Sequence, residues 1–261
     1  MDLYLQKKNA LILASSQGLG MAIAKELVKE GANVMLAARN EEKLVAVQKE
    51  LSELGIGKVS YKVTDITKPD EIKSLVARMA EEFGGIDILV NNAGGPPGGT
   101  FADFNDEDWQ HSFELNLLSF IRTIRESLPH LKKQGGKIVN IASSSIKEPI
   151  PGLLLSNTFR TAIVGLAKTL ASELAPDNIL INTVGPGRIA TDRIQHLDRF
   201  NAEKLGVPAE EVTGKALSNI PLGRYGEPEE FAKFVTFLVS GANTYLTGQS
   251  YLVDGGMVKS I

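Results

Sequence analysis

The run Ala10-Leu11-Ile12-Leu13-Ala14-Ser15-Ser16-Gln17-Gly18-Leu19-Gly20 decides how this chain is to be read. Its first five residues are apolar without alternation, as expected of a strand covered on both faces. The last six lead into a helical pattern, Met21 to Lys29, which Gly31 stops. Glycines let backbone approach closely at such a turn, and the free N–H groups and dipole of a helix start favour a phosphate. A Gly-x-Gly there also serves helix–strand packing, so the turn alone leaves both readings open.

The same alternation continues outward. Further apolar runs cover Asn33 to Ala38, Lys58 to Val63, Ile86 to Val90, Lys137 to Ile141, Leu180 to Val184 and Tyr251 to Val253. Between them lie helical patterns: Glu41 to Leu54 between Asn40 and Gly55, and Asp70 to Phe83 between Pro69 and Gly84-Gly85. Asp106 to Leu131, Asn157 to Leu174 and Pro228 to Val239 follow as single helices. Six strand–helix alternations predict right-handed crossovers and an α/β, doubly wound, Rossmann-type fold with a seven-stranded parallel sheet, every strand buried. Gly94-Gly95-Pro96-Pro97-Gly98-Gly99 is too short for a linker, so residues 1–261 read as one domain. Arg188 to Ser218 is long, polar and without a clear strand, which suits a mobile lid.

Composition excludes several classes. The 28 Lys+Arg nearly balance 31 Asp+Glu for a net charge of -3, so no basic field is available for nucleic acid. With no cysteine there is no disulfide, thiolate nucleophile or Cys-ligated metal. His111, His130 and His196 show no metal-ligand spacing, so no metal site is expected. No apolar run is long enough for a membrane helix and the first residues lack the order of a secretion signal; the expectation is a cytoplasmic protein that meets no membrane.

Chemistry in such a sheet gathers at the carboxyl ends of the strands. Arg39 follows the second run where a site for NAD would place an acid, and a guanidinium there suits the extra phosphate of NADP; a solvated charge capping the next helix is the alternative. Asp65-Ile66 after the third run puts a carboxylate where it can accept from an adenine amino group, or cap a helix. Asn91-Asn92-Ala93-Gly94 after the fourth offers amides and small residues where backbone must pass a ligand. Each segment is ambiguous alone; together at successive strand ends they predict a dinucleotide cleft, with NADP preferred to NAD.

Over nearly its whole length the chain resembles the short-chain dehydrogenase/reductase family. The resemblance rests on Gly18-Leu19-Gly20, Asp65, Asn91-Asn92-Ala93-Gly94, Leu115-Asn116-Leu117, Ile138-Val139-Asn140-Ile141 before a serine cluster, and Pro186-Gly187. It continues through Pro221-Leu222-Gly223-Arg224, Gly226-Glu227-Pro228-Glu229-Glu230, Leu246-Thr247-Gly248-Gln249 and Val253-Asp254-Gly255-Gly256. The general likeness is to 3-oxoacyl carrier-protein reductases. It implies a hydride transfer between a nicotinamide and a small carbonyl or alcohol, and a homotetramer; core packing explains the apolar face of Ile163, Leu166 and Leu170 equally well. The implied cofactor-binding set is Ser15, Gln17, Gly18, Leu19, Gly20, Arg39, Asp65, Ile66, Asn91, Ala93, Gly94, Pro186, Gly187, Ile189 and Thr191.

Two departures stand out. The family's glycine motif opens Thr-Gly, where this chain has Leu13-Ala14. The Tyr-x-x-x-Lys pair is replaced: counting back from Gly165, its positions fall on Ser156 and Arg160, and thirteen residues before Ser156 lies Ser143, the spacing of the family's active-site serine. The expected catalytic set is therefore Asn116, Ser143, Ser156 and Arg160. Asn116 would hold a water in its helix, or be a buried amide satisfied by backbone. Tyr225, His196 and Glu148 are the candidate proton donors. Two other readings stand beside the oxidoreductase: a dinucleotide-binding protein with little catalysis, and a hydrolase using Ser143, Ser144 or Ser145, which lacks a Gly-x-Ser-x-Gly elbow.

Overall fold

A computed structural model describes residues 2–260. The opening run forms β1 (Asn9–Leu13), whose side chains alternate across the sheet: Ala10 and Ile12 enter one core, Leu11 and Leu13 the other. Helix α1 (Gly18–Lys29) returns the chain to β2 (Asn33–Ala38), and α2 (Glu41–Ser52) to β3 (Val59–Val63). Asn40 starts α2 by accepting from the Lys43 N–H at 2.8 Å. Helix α3 (Pro69–Phe83) begins on proline, ends on Gly84 in the left-handed region (φ +83°), and leads to β4 (Ile88–Asn91).

The second half comprises α4 (Asp106–Phe113), α5 (Ser119–Leu131), β5 (Gly136–Ile141), α6 (Leu154–Leu174) and β6 (Ile179–Pro186). Helices α7 (Asp192–Leu205), α8 (Ala209–Ser218) and α9 (Pro228–Val239) precede β7 (Ser250–Val253). All seven strands are parallel in the order β3-β2-β1-β4-β5-β6-β7. One face is covered by α1, α2 and α9 through Ile23, Leu27, Leu44, Phe231 and Val235. The other is covered by α3, α5 and α6 through Leu75, Met79, Phe120, Ile124 and Ile163. Chain direction along the sheet reverses between β1 and β4, so their carboxyl ends part there and open a crevice.

Four sequence expectations need correction. The strands are not all buried: β3 and β7 are the sheet edges, and Val63 is 40% exposed. Asp106 to Leu131 is not one helix, because a π-helical turn at Glu114–Leu118 interrupts it and swings Asn116 inward. The helix placed at Asn157 begins at Leu154, which puts Ser156 inside its first turn. Arg188 to Ser218 is built of α7 and α8 rather than irregular chain. Both bury only a few residues, such as Asp198, Ala202 and Ala216, and α7 leaves Phe200 and Leu205 exposed, so their buried apolar stripe is narrow. Gly206, in the left-handed region (φ +67°), and Pro208 just before α8 are the local signals that mark where one helix stops and the next starts.

Candidate active site

A first cavity of about 790 Å³ runs along the crevice from the end of β2 to the end of β6. Its floor is the turn after β1. Ala14 holds φ +47°, a left-handed conformation costly for any residue with a Cβ, and Gly18 holds φ +58°. A Cβ on Gly20 would stand 2.4 Å from the Ala14 carbonyl oxygen, so only glycine allows α1 to start this close to β1. Gln17 flanks the start of α1 without a side-chain cap, which leaves first-turn N–H groups without an internal partner beside the cavity.

Of the expected cofactor set, Gln17, Gly18, Leu19, Arg39, Asp65, Ile66, Ala93, Gly94, Pro186, Gly187, Ile189 and Thr191 line this cavity. Three do not. Ser15 is wholly buried, donating to the Ile12 carbonyl at 2.9 Å and accepting from the Ala37 N–H at 2.9 Å, so it staples β1 to β2. Gly20 acts through packing. Asn91 is also wholly buried, its amide donating to Asn140 Oδ1 at 2.9 Å; its neighbour Asn92 lines the cavity and donates to the Ala14 carbonyl at 3.3 Å.

Arg39 is exposed and does not cap α2, a role Asn40 fills. The lining also includes Lys43, one helical turn beyond Arg39 and in contact with Gln17, a residue the sequence reading missed although the i, i+4 spacing was visible. Asp65 accepts from the Thr67 N–H at 3.0 Å and its hydroxyl at 2.8 Å. Burial pushes its carboxyl up, but those hydrogen bonds, with Arg39 and Lys68 nearby, hold it below the ordinary value. This is an Asx turn ahead of α3 rather than a cap, since Lys68 occupies the cap position.

A second cavity of about 600 Å³ adjoins the first and shares Leu19, Asn92, Ala93, Gly95, Pro186 and Gly187 with it. Ser143, Ser156 and Arg160 all line it. Ser143 Oγ accepts from the Ser145 N–H at 3.2 Å, which leaves its proton to donate into the cavity. Ser156 stands one turn before Arg160 on α6. The Arg160 guanidinium is 4% exposed and reaches across two strand ends, donating to the Ile141 carbonyl at 2.8 Å and the Ala93 carbonyl at 3.0 Å, and lies 5.9 Å from the Phe120 ring centroid. Burial first, and then the Arg193 cation, lower its pKa to about 10, so it stays a cation at neutral pH.

Asn116 is wholly buried in the π turn and lines neither cavity; neither amide atom has a protein partner among the described residues, so backbone does not satisfy it. Among the three candidate proton donors, only Glu148 lines the second cavity. Tyr225 lines neither cavity; it donates to Asp198 Oδ2 at 2.7 Å and accepts from Arg188 at 3.3 Å, with burial and Asp198 raising its pKa. His196 is exposed on α7 and lines neither. No histidine lines the cavity that holds the serine cluster, so a serine–histidine arrangement has no geometric support among the described residues.

A doubly wound sheet with a glycine turn at its switch point and a second cavity at the neighbouring strand ends defines a nucleotide-binding α/β enzyme architecture. The family model described as enoyl-(acyl carrier protein) reductase matches residues 13–258. The 3-oxoacyl-[acyl-carrier-protein] reductase FabG of Thermotoga maritima is 36% identical over 255 residues, covering 97% of this chain and 99% of that protein. Dehydrogenase/reductase SDR family member 4 of Caenorhabditis elegans is 35% identical over 255 residues, 96% of this chain and 95% of that one. The structure of L-sorbose reductase from Gluconobacter frateurii, complexed with NADPH and L-sorbose, superposes with a TM-score of 0.95 at 34% identity, covering 100% of both chains. The chain belongs to the short-chain dehydrogenase/reductase family of oxidoreductases.

Proposed function

We propose that this protein is an NADP(H)-dependent oxidoreductase that moves a hydride between the nicotinamide and a small carbonyl or alcohol, with Ser156 and Arg160 in place of the family's tyrosine and lysine. The observation that carries it is the junction of the two cavities: a cleft with a phosphate-competent helix start and the Arg39 and Lys43 cations opens into a cavity holding Ser143, Ser156 and Arg160.

The residues fit the cofactor. The helix start of α1 and the close approach enforced at Gly20 suit a pyrophosphate, and Arg39 with Lys43 suit the 2′-phosphate of the adenosine ribose. Asp65 and Ile66 lie where the adenine would rest, while Pro186, Gly187, Ile189 and Thr191 line the far end. When bound, the cofactor supplies or accepts the hydride.

This chain's own groups do the rest. Ser143 donates a hydrogen bond to the substrate oxygen. Arg160, fixed by two backbone carbonyls, offers a preorganised positive charge to an oxygen that becomes negative as the carbonyl is reduced. It does not exchange its proton at neutral pH, so it does not replace the lysine of a proton relay. Ser156 is a poor acid beside a phenol, which costs such an enzyme about 10²–10⁴-fold. Glu148 or a water entering at the cavity mouth supplies the proton. Asn116 is assigned the positioning of a water inside its helix. The segment 188–218 acts as the substrate lid of a single domain, and the chain assembles as a homotetramer, which light scattering tests.

Calorimetric titration with NADPH and NADH, followed by a carbonyl panel read as NADPH oxidation, tests the whole reading. Tighter NADPH binding and slow turnover of at least one carbonyl are expected. NADPH binding with no turnover across the panel would favour a dinucleotide-binding protein, a reading supported by the absence of any tyrosine among the residues lining the second cavity.

A further inference from the structure

The charges around the second cavity are unbalanced. Arg160, Arg188, Arg193 and Lys259 line it, and the exposed Glu148 is the one carboxylate among the described lining residues. Arg188 is neutralised by Asp198, with which it forms an ion pair. Arg160 and Arg193 have no carboxylate within 4.0 Å among the described residues. The first is almost wholly buried and spends its hydrogen bonds on backbone carbonyls; the second donates to the Pro96 carbonyl at 3.0 Å and keeps the remaining donors of its fork free. Arg193 is near enough to oppose the protonation of Arg160. Holding a second cation beside the buried Arg160 is costly, and an anion seated between them offsets that cost.

We propose that the second cavity recognises a substrate bearing an anionic group, a carboxylate or a phosphate ester, close to the carbonyl or alcohol that reacts. This rests on the hydride-transfer reading for the word substrate, while the anion site itself rests on Arg160, Arg193 and Lys259. Arg39 and Lys43 serve the opposite end of the first cavity, so the 2′-phosphate does not account for this second group of cations. Arg193 lines both cavities, and the cofactor pyrophosphate is therefore the rival partner for it.

The test compares carbonyls that differ only in charge, acetoacetate against methyl acetoacetate and dihydroxyacetone phosphate against dihydroxyacetone, at saturating NADPH. The charged member should have the higher kcat/KM by about 10–100-fold, the range of a charge-assisted hydrogen bond. Arg193→Gln, at an exposed position, should shrink that ratio by about tenfold through KM. Calorimetry with succinate and inorganic phosphate on the NADPH-loaded protein reads the site without chemistry. Anion binding with no turnover of any carbonyl sinks the hydride-transfer reading and leaves the anion site standing. Turnover of neutral carbonyls at equal or better efficiency overturns the anion site and leaves hydride transfer standing. An Arg193→Gln variant that loses NADPH affinity with an unchanged charge ratio assigns Arg193 to the pyrophosphate and also overturns it, as does failure of both anions to bind.

Discussion

The two cavities share a wall yet are built in opposite ways. The first is assembled from short segments that each follow their own strand: the glycine turn after β1, Arg39 beside the Asn40 cap after β2, the Asx turn of Asp65 after β3. The second draws Ser143 from the end of β5, Ser156 and Arg160 from α6, Arg193 from α7 and Lys259 from beyond β7. In the first, local turn chemistry fixes each group. In the second, Arg160 is fixed only by carbonyls at the ends of two other strands, Ala93 after β4 and Ile141 in β5. A cleft made of turns tolerates change one residue at a time, whereas a cavity made by convergence couples its residues, and the two should answer mutation differently.

The largest effect is expected where the coupling is strongest. Ser156→Tyr with Arg160→Lys should raise NADPH-dependent reduction of a simple diketone or 3-oxoester by some part of the roughly 10²–10⁴ that general acid catalysis provides. Each single variant should recover less, because the two groups act as a unit. Ser156 opens onto a cavity of about 600 Å³, which has room for the ring. Circular dichroism and NADPH titration must match wild type before rates are compared. A folded double variant that binds NADPH and gains nothing would move the proton donor to Glu148 and break the assignment of Ser156.

The first cavity should respond additively and less. Arg39→Ala should weaken NADPH by about tenfold to hundredfold while leaving NADH nearly unchanged, because a charge-assisted bond to a phosphate is worth about 1.5–3 kcal/mol. Lys43→Ala should cause a smaller loss of the same sign, measured by the same titration. Equal losses for both cofactors would place neither residue at the 2′-phosphate.

Acid should act mainly outside the second cavity. Asp65, Glu71, Asp103 and Glu230 are all held below their ordinary values, Glu230 at about 2 by its hydrogen bonds from Arg224 and the Glu227 N–H. A carboxyl with a folded pKa below its unfolded one binds protons more readily unfolded, so its contribution is complete above the unfolded value and is lost as pH falls toward the folded one. Thermal melts should therefore hold steady down to about pH 5 and fall below it. Asp65→Asn should flatten part of that fall. Arg160, depressed to about 10, is charged in both states through this range and adds no slope.

The smallest effect belongs to the glycine turn. Ala14→Gly should relieve a left-handed Cβ and stabilise by up to about 1 kcal/mol, a rise in Tm of about 2–4 °C for a chain of this size. A lower Tm would show that the turn is relaxed around alanine.

Much of this was legible beforehand because its causes are local. Short apolar runs, each followed by an amphipathic stretch, read as strands with helices packed on the sheet, and Asn33–Ala38 and Pro228–Val239 fall where the pattern put them. The edge strands β3 (Val-Ser-Tyr-Lys-Val) and β7 (Ser-Tyr-Leu-Val) have no isoleucine and mix polar with apolar residues, a signal of partial exposure that the reading as buried runs passed over. The break at Glu114–Leu118 leaves no proline or glycine as a marker, and α7 and α8 bury too little apolar surface to stand out from a polar loop.

At the site, the residues at strand ends were readable because topology alone carries them to the crevice. Side-chain direction was not, since it alternates along a strand and turns on a single residue: Asn91 faces Asn140 in the interior while Asn92 faces the cleft, and Ser15 staples two strands. The sequence by itself determined the doubly wound sheet, the glycine turn and a free arginine at the end of the second strand, all products of neighbours a few residues apart. Only the tertiary structure decided that Arg160 is a buried cation without a carboxylate partner among the described residues, that Arg193 lines the same cavity, and that Tyr225 is tied to Asp198. Those facts depend on residues 27 to 67 positions apart in sequence arriving at one place, and charge balance exists only once they have arrived.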